Sequence, residues 1–135
     1  MTEVVLVDTN VLLDLFTDDP QWRSWSERAL ADALMSDGVG INQIVYAEVS
    51  LAFDDAASLD QELSALLVTR LQLPYGAAFG AARAFLRYRR AGGVREAPLP
   101  DFFIGAHAES EGLKLLTRDA GRYRTYFPAV HLIAP

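Results

Sequence analysis

The chain has 135 residues, long enough for one domain with a sizeable core. Hydrophobic residues make up 51%, and no apolar run approaches the ~20 residues of a membrane span, which excludes disorder and a spanning helix. Twelve basic residues stand against 18 acidic ones, a formal charge of −6 that, taken alone, argues against a nucleic-acid partner.

The first element is Val4 to Val7, a continuous apolar run rich in β-branched residues. It reads as a strand buried on both faces, the parallel-sheet type. Thr9 or Asn10 is expected to cap a short helix through Phe16. Asp19-Pro20 opens a helix to about Ser36, with Trp22, Trp25, Ala29, Leu30, Ala33 and Leu34 on one stripe. Gly38 ends it, and Val39 to Ile41 reads as a second strand. Asn42 caps a helix covering Ile44 to Phe53, and another follows from about Ser58 to Leu71. Leu71 to Pro74 offers a short strand. An Ala-rich helix spans about Tyr75 to Ala91 and stops at Gly92-Gly93. Pro98-Leu99-Pro100-Asp101 opens a helix through Glu111, and Gly112 breaks it. Leu113 to Thr117 is the next strand, Gly121 to Tyr126 a turn or helix, and Val130 to Ile133 the last strand. Strands alternating with helices imply a mostly parallel sheet between helical layers.

The charge is unevenly placed. Nine of the 12 basic residues lie between Arg83 and Arg124, with five acids, a local balance of +4. All but one of the 12 are Arg, whose fork suits phosphate or carboxylate. Arg87, Arg89 and Arg90 form either the solvated end of a helix, favoured by its dipole, or a phosphate-facing group.

Four acids stand where packing does not require them. Asp8 directly follows the first strand, and Asp119 lies two residues beyond the strand that ends at Thr117. In open parallel sheets the working site lies outside the carboxyl ends of the strands. Each is otherwise a helix cap or turn residue. Glu48 sits in an otherwise apolar helix, on the face of Ile44 and Leu51, and its burial calls for an Arg or a metal ion. Asp101 stands in the first turn of its helix, where the dipole favours a carboxylate. Should the four converge, their repulsion requires a cation. Oxygen ligands with no Cys and two His select Mg²⁺ or Mn²⁺ over Zn²⁺. Such ions activate water and neutralise charge on a phosphoryl group, so the expected chemistry is phosphodiester hydrolysis. Without Asp101 and Asp119 the Arg83–Arg124 stretch carries +6, and the overall acidity no longer argues against nucleic acid. His107 and His131 read as structural, and Tyr123 and Tyr126 as core residues before base-stacking ones.

The motifs Val7-Asp8-Thr9-Asn10-Val11-Leu12, Tyr46-Ala47-Glu48, Pro100 to Ala108 (PDFFIGAHA) and Leu116-Thr117-Arg118-Asp119 occur in this order along nearly the whole chain. In this the chain resembles the PIN-domain ribonucleases, and within them the VapC-like toxins of toxin–antitoxin pairs. The resemblance implies a three-layer α/β/α sandwich over 1–135, with Asp8, Glu48, Asp101 and Asp119 as catalytic acids. Asp8, Asp101 and Asp119 would hold the metal, with Asn10 orienting carboxylates and Thr117 bonding the site. Arg118 and Arg122 would meet substrate phosphate. It further implies an Mg²⁺ or Mn²⁺ cofactor, an RNA substrate, a VapB-like antitoxin and a homodimer. Many relatives carry another acid shortly after the position of Asp119, but Ala120-Gly121-Arg122 offers none. One resident ion is therefore expected, with a second arriving with substrate as the alternative.

Two other readings stay open. An aspartyl-nucleophile phosphatase also places an Asp after its first strand, but wants a second Asp where this chain has Asn10, and a Lys near phosphate. A non-catalytic binding module would use the acids as caps and salt bridges. The start, Met1-Thr2-Glu3, lacks the layout of a signal peptide, and with zero cysteines a cytoplasmic protein is expected.

Overall fold

The computed structural model describes residues 4–93 and 99–135. The expected helix opening at Pro98, and the charges of Arg95 and Glu96, lie outside the described residues.

Val5–Val7 forms strand β1, every side chain buried, as its unbroken apolar run requires. β1 lies between β2 (Val39–Ile41) and β4 (Leu115–Leu116). Val5 pairs with Val39, and Leu6 with Leu115. β3 (Val68–Arg70) flanks β2, and β5 (Leu132–Ile133) flanks β4. The sheet order is β3-β2-β1-β4-β5, and every pairing is parallel. The chain winds outward from β1 to β3, then crosses back to β4. The junction of β1 and β4 is therefore the switch point, where parallel sheets open a crevice at their carboxyl ends.

Seven helices among the described residues cover the sheet: α1 (Thr9–Phe16), α2 (Arg23–Ser36), α3 (Gln43–Ser50), α4 (Ala56–Ala65), α5 (Tyr75–Arg90), α6 (Leu99–Glu111) and α7 (Gly121–Tyr126). The result is the three-layer α/β/α fold expected from the alternation of elements. α5 buries Ala77, Ala81 and Ala84 where it packs on α6. Their small side chains let the two helix axes approach closely.

Four expectations need correction. The cap of α1 is Asp8, not Thr9 or Asn10: its carboxylate accepts the Thr9 amide. A residue at a strand's end already has the extended backbone that a cap needs, and Asp8 has φ −71° and ψ 152°. Next, α4 stops at Ala65 rather than about Leu71. Leu67 takes φ 59°, and the β-branched Val68-Thr69 pair onto the free edge of β2. The strand therefore precedes Leu71–Pro74. The inward face of α3 is set by Val45 and Val49, while Leu51 is 89% exposed and Glu48 only half-buried. Finally, His131 is exposed and precedes β5.

Candidate active site at the carboxyl edge of the sheet

Asp8 leaves β1 with its side chain 4% exposed. Oδ1 accepts the Thr9 amide at 2.7 Å, fixing the carboxylate on the start of α1. Oδ2 accepts the Thr117 hydroxyl at 2.9 Å, the Tyr123 hydroxyl at 2.9 Å and Asn10 Nδ2 at 3.3 Å. Burial pushes the Asp8 carboxyl above its ordinary range, against these hydrogen bonds, and the charge of Glu48 adds to the rise.

Thr117 follows β4, the strand beside β1, which is why its fully buried hydroxyl reaches Asp8. The same oxygen accepts Asn10 Nδ2 at 3.3 Å and the Asp119 amide at 3.1 Å. Asn10 Oδ1 in turn accepts the Arg118 amide at 3.2 Å. The two strand ends are thus tied by side chains as well as by the sheet.

Glu48 reaches in from α3, and its Oε1 accepts the Thr9 hydroxyl at 2.6 Å. Asp101 enters from the first turn of α6, and its Oδ2 accepts Arg122 Nη1 at 2.7 Å. Burial first, then the charges of Asp8 and Glu48, raise the Asp101 carboxyl to about 7 against the opposing pull of Arg122. Three carboxylates from three elements therefore share one field, with Arg122 facing one of them.

Asp119 is exposed and set apart from this group. Its backbone is bound to Thr117, and its charge bears on Arg118 rather than on Asp8 or Asp101. Arg118 holds Asp14 Oδ2 through Nε at 2.8 Å and lies 5.5 Å from the Trp22 ring. The Arg122 guanidinium lies over Tyr88.

Tyr123 and Thr9 are the site residues that sequence reasoning passed over. Tyr123 is 1% exposed, as a core residue should be, yet its hydroxyl ends on Asp8. The only signal for it was a polar-tipped aromatic shortly after a strand-end Asp. His107 is buried, as expected, and bonds Asn42 at 3.0 Å.

Among the described residues no three His, Cys, Asp or Glu side chains stand close enough together to ligate one ion. The donor set nevertheless suits a hard cation. It is all oxygen, and burial with the charges of Asp8 and Glu48 holds Asp101 near 7 even with a guanidinium on it. Asp101 would give up its contact with Arg122 to hold an ion.

Residues 5–128 match the PIN domain family, and the chain belongs to it. Among solved structures, VapBC2 from Rickettsia felis bound to a promoter DNA fragment is similar at TM-score 0.75 and 17% identity, with 98% of each chain covered. A toxin–antitoxin complex from Klebsiella pneumoniae is similar at TM-score 0.69 and 24% identity, over 93% of this chain and 94% of that one. VapBC-1 from nontypeable Haemophilus influenzae gives TM-score 0.72 and 15% identity, over 97% of both chains. At these identities the likeness is one of fold. No curated protein matches the chain.

Proposed function

We propose that the chain is a divalent-metal-dependent endoribonuclease and the toxin of a toxin–antitoxin pair. The observation that carries this reading is the grouping of Asp8, Glu48 and Asp101 at the switch point of the sheet, where burial and then the charges of Asp8 and Glu48 raise Asp101 to about 7. Evolution retains such repulsion at working sites more readily than in a packing core.

In this reading Asp8 and Asp101 would hold one Mg²⁺ or Mn²⁺, and Asp119, set apart from them, would reach it through water. When bound, the ion lowers the pKa of a water and offsets negative charge on the phosphodiester. The protein does the remaining work. Thr117, Asn10 and Tyr123 fix the orientation of Asp8, and the Thr9 amide favours its charged form. Glu48 keeps one oxygen on Thr9 and turns the other toward the attacking water, to orient it and take its proton. Arg122, which pairs with Asp101, would meet a substrate phosphate. Arg118 keeps the loop after β4 in place through Asp14.

The solved chains named above come from VapBC and other toxin–antitoxin assemblies, which supports a VapB-like antitoxin as partner; a homodimeric toxin and a cytoplasmic place of action rest on the resemblance to VapC-like toxins. No helix among the described residues is long and apolar enough to cross a membrane. The phosphatase reading loses its lysine. Lys114 is the only Lys, precedes β4 and pairs with Asp37 at 3.3 Å, at the opposite end of the strand from Asp8.

The test is cleavage of single-stranded RNA with Mg²⁺ or Mn²⁺ by wild type, Asp8→Asn and Asp101→Asn. The expected result is metal-dependent cleavage that EDTA abolishes and each substitution lowers by about 100-fold or more. Equal activity in the substituted proteins, or cleavage indifferent to EDTA, sinks the reading.

A further inference from the structure

α5 has a face that neither the core nor the carboxylate site uses. Its 16 residues carry four Arg and no acid. Arg83, Arg87, Arg89 and Arg90 are all exposed, and none forms an ion pair among the described residues. Tyr75 is 96% exposed and Phe79 56%. At helical spacing Tyr75, Phe79, Arg83, Arg87 and Arg90 recur every three or four residues and form one stripe. It lies opposite the buried Ala77, Ala81 and Ala84. The Arg83 guanidinium stands 4.6 Å from the centre of the Phe79 ring. The helix dipole accounts for cations in the last turn, but not for Arg83 in the middle, nor for two aromatic rings in water.

We propose that this stripe docks single-stranded RNA and leads it to the carboxylate site, an inference that rests on the nuclease reading above. Unpaired arginines match a chain of phosphates, and exposed aromatic faces match unstacked bases. The stripe also ends in the right place. Tyr88, among the terminal arginines, turns its ring inward to within 5.5 Å of the Arg122 guanidinium, which holds Asp101. The arginine-rich end of α5 is therefore one side chain away from the site. A second copy of the chain is a poor occupant, because face-to-face pairing would set three Arg against three. An acidic protein would answer the charge but leave the two rings without bases to stack on.

The experiment measures binding of a fluorescent single-stranded RNA in EDTA over a range of salt. It compares wild type, Arg83→Gln/Arg87→Gln/Arg90→Gln together, and Phe79→Ala. All these side chains are exposed, and thermal unfolding checks that each variant folds. The triple variant is expected to bind about tenfold or more weakly at low salt, its log–log salt slope shallower by about 2, at roughly 0.7 per lost phosphate contact. Phe79→Ala should weaken binding without changing the slope. Unchanged affinity and slope in the triple variant overturn the proposal. So does arginine-dependent capture of polyglutamate as tight as that of RNA, which assigns the face to an acidic protein. Mg²⁺-dependent cleavage assayed in parallel separates the two readings. Cleavage without arginine-dependent binding removes the docking surface alone. Arginine-dependent binding without cleavage removes the nuclease reading and leaves the docking surface standing.

Discussion

Tyr123, in α7, donates its hydroxyl to Asp8 Oδ2 at 2.9 Å, so a residue buried like a core aromatic sets the state of the central carboxylate. The tyrosine stays protonated, since burial and the charge of Asp8 raise it well above its ordinary value. It is therefore a permanent donor, and it lowers the Asp8 carboxyl against the effect of burial. Tyr123→Phe removes that donor and little volume. The expected result is a stability loss of about 1–2 kcal/mol, read by denaturant unfolding, because a buried acceptor loses a partner. Metal affinity should fall about tenfold in a Mn²⁺ titration, as for other groups that orient a ligand. Unchanged metal binding would show the hydroxyl to be structural only.

Much of this arrangement is legible in the residues themselves. The apolar run Val4 to Val7 predicts a doubly buried strand, and a parallel sheet makes the residue after it a site position. That reasoning finds Asp8, and the same reasoning at Thr117 finds the neighbouring strand end. Asp101 follows from its place in a helix's first turn. Distances across the fold are not legible. Nothing local to Tyr123 shows that α7 turns its hydroxyl onto Asp8. Nothing local to Arg122 shows that it faces Asp101. Helical spacing put Glu48 on the face of Leu51, but α3 is too short to bury a full stripe and keeps only Val45 and Val49 inside. The end of α4 is not legible either, because pairing of Val68 with β2 competes with helix continuation, a tertiary effect that propensity does not carry.

The Asp101 carboxyl near 7 makes metal binding depend on pH. A cation competes with the proton, so affinity should rise as pH climbs from 6 to 8. Stability of the metal-free protein follows the opposite course. A carboxyl raised in the fold contributes stability that is whole below its unfolded value and lost as pH rises through about 7. The difference in melting temperature between wild type and Asp101→Asn should therefore change across pH 6–8 without metal, and shrink when Mn²⁺ is present. A pH-independent difference sinks this account.

His107 titrates in the other direction. Burial holds its imidazole below the ordinary value, and Glu111 opposes this weakly. A group lowered in the fold contributes stability that is whole above its unfolded value, near 6.5, and lost as pH falls through the folded one. Its partner Asn42 also caps α3 by accepting the Val45 amide at 3.0 Å. Asn42→Ala should cost about 1–2 kcal/mol at neutral pH, from the lost cap and the orphaned ring nitrogen. It should also alter the acid limb of the stability curve between pH 5 and 7, while Asn42→Asp restores the cap but not the neutral partner.

Asp14 is a stability residue rather than a ligand. Its Oδ2 accepts Arg118 Nε at 2.8 Å and the Ser26 hydroxyl at 2.6 Å, joining α1, α2 and the loop after β4. The carboxylate is 2% exposed and the arginine 29%. Asp14→Ala leaves two donors without their acceptor, and the expected loss is about 2–3 kcal/mol. Because Arg118 sits between Thr117 and Asp119, activity should fall as well, through a raised KM if the loop loosens. Asp14→Asn should recover part of both losses.

Gly105 shows why α6 carries a glycine in mid-helix, where it is otherwise unfavourable. A Cβ built there runs into the ring of Phe127, which is itself fully buried after α7. The helix therefore approaches the segment after Tyr123 as closely as backbone allows. Gly105→Ala gains helix propensity of about 1 kcal/mol but forces the ring to shift, an overpacking cost of about 1–3 kcal/mol. The net expectation is a destabilised protein. Since Phe127 follows directly on the helix that carries Tyr123 and Arg122, the displacement should also weaken Mn²⁺ binding. Gly105→Ala paired with Phe127→Leu tests the cause: the smaller side chain makes room for the Cβ, so the two together should cost less than their separate losses combined.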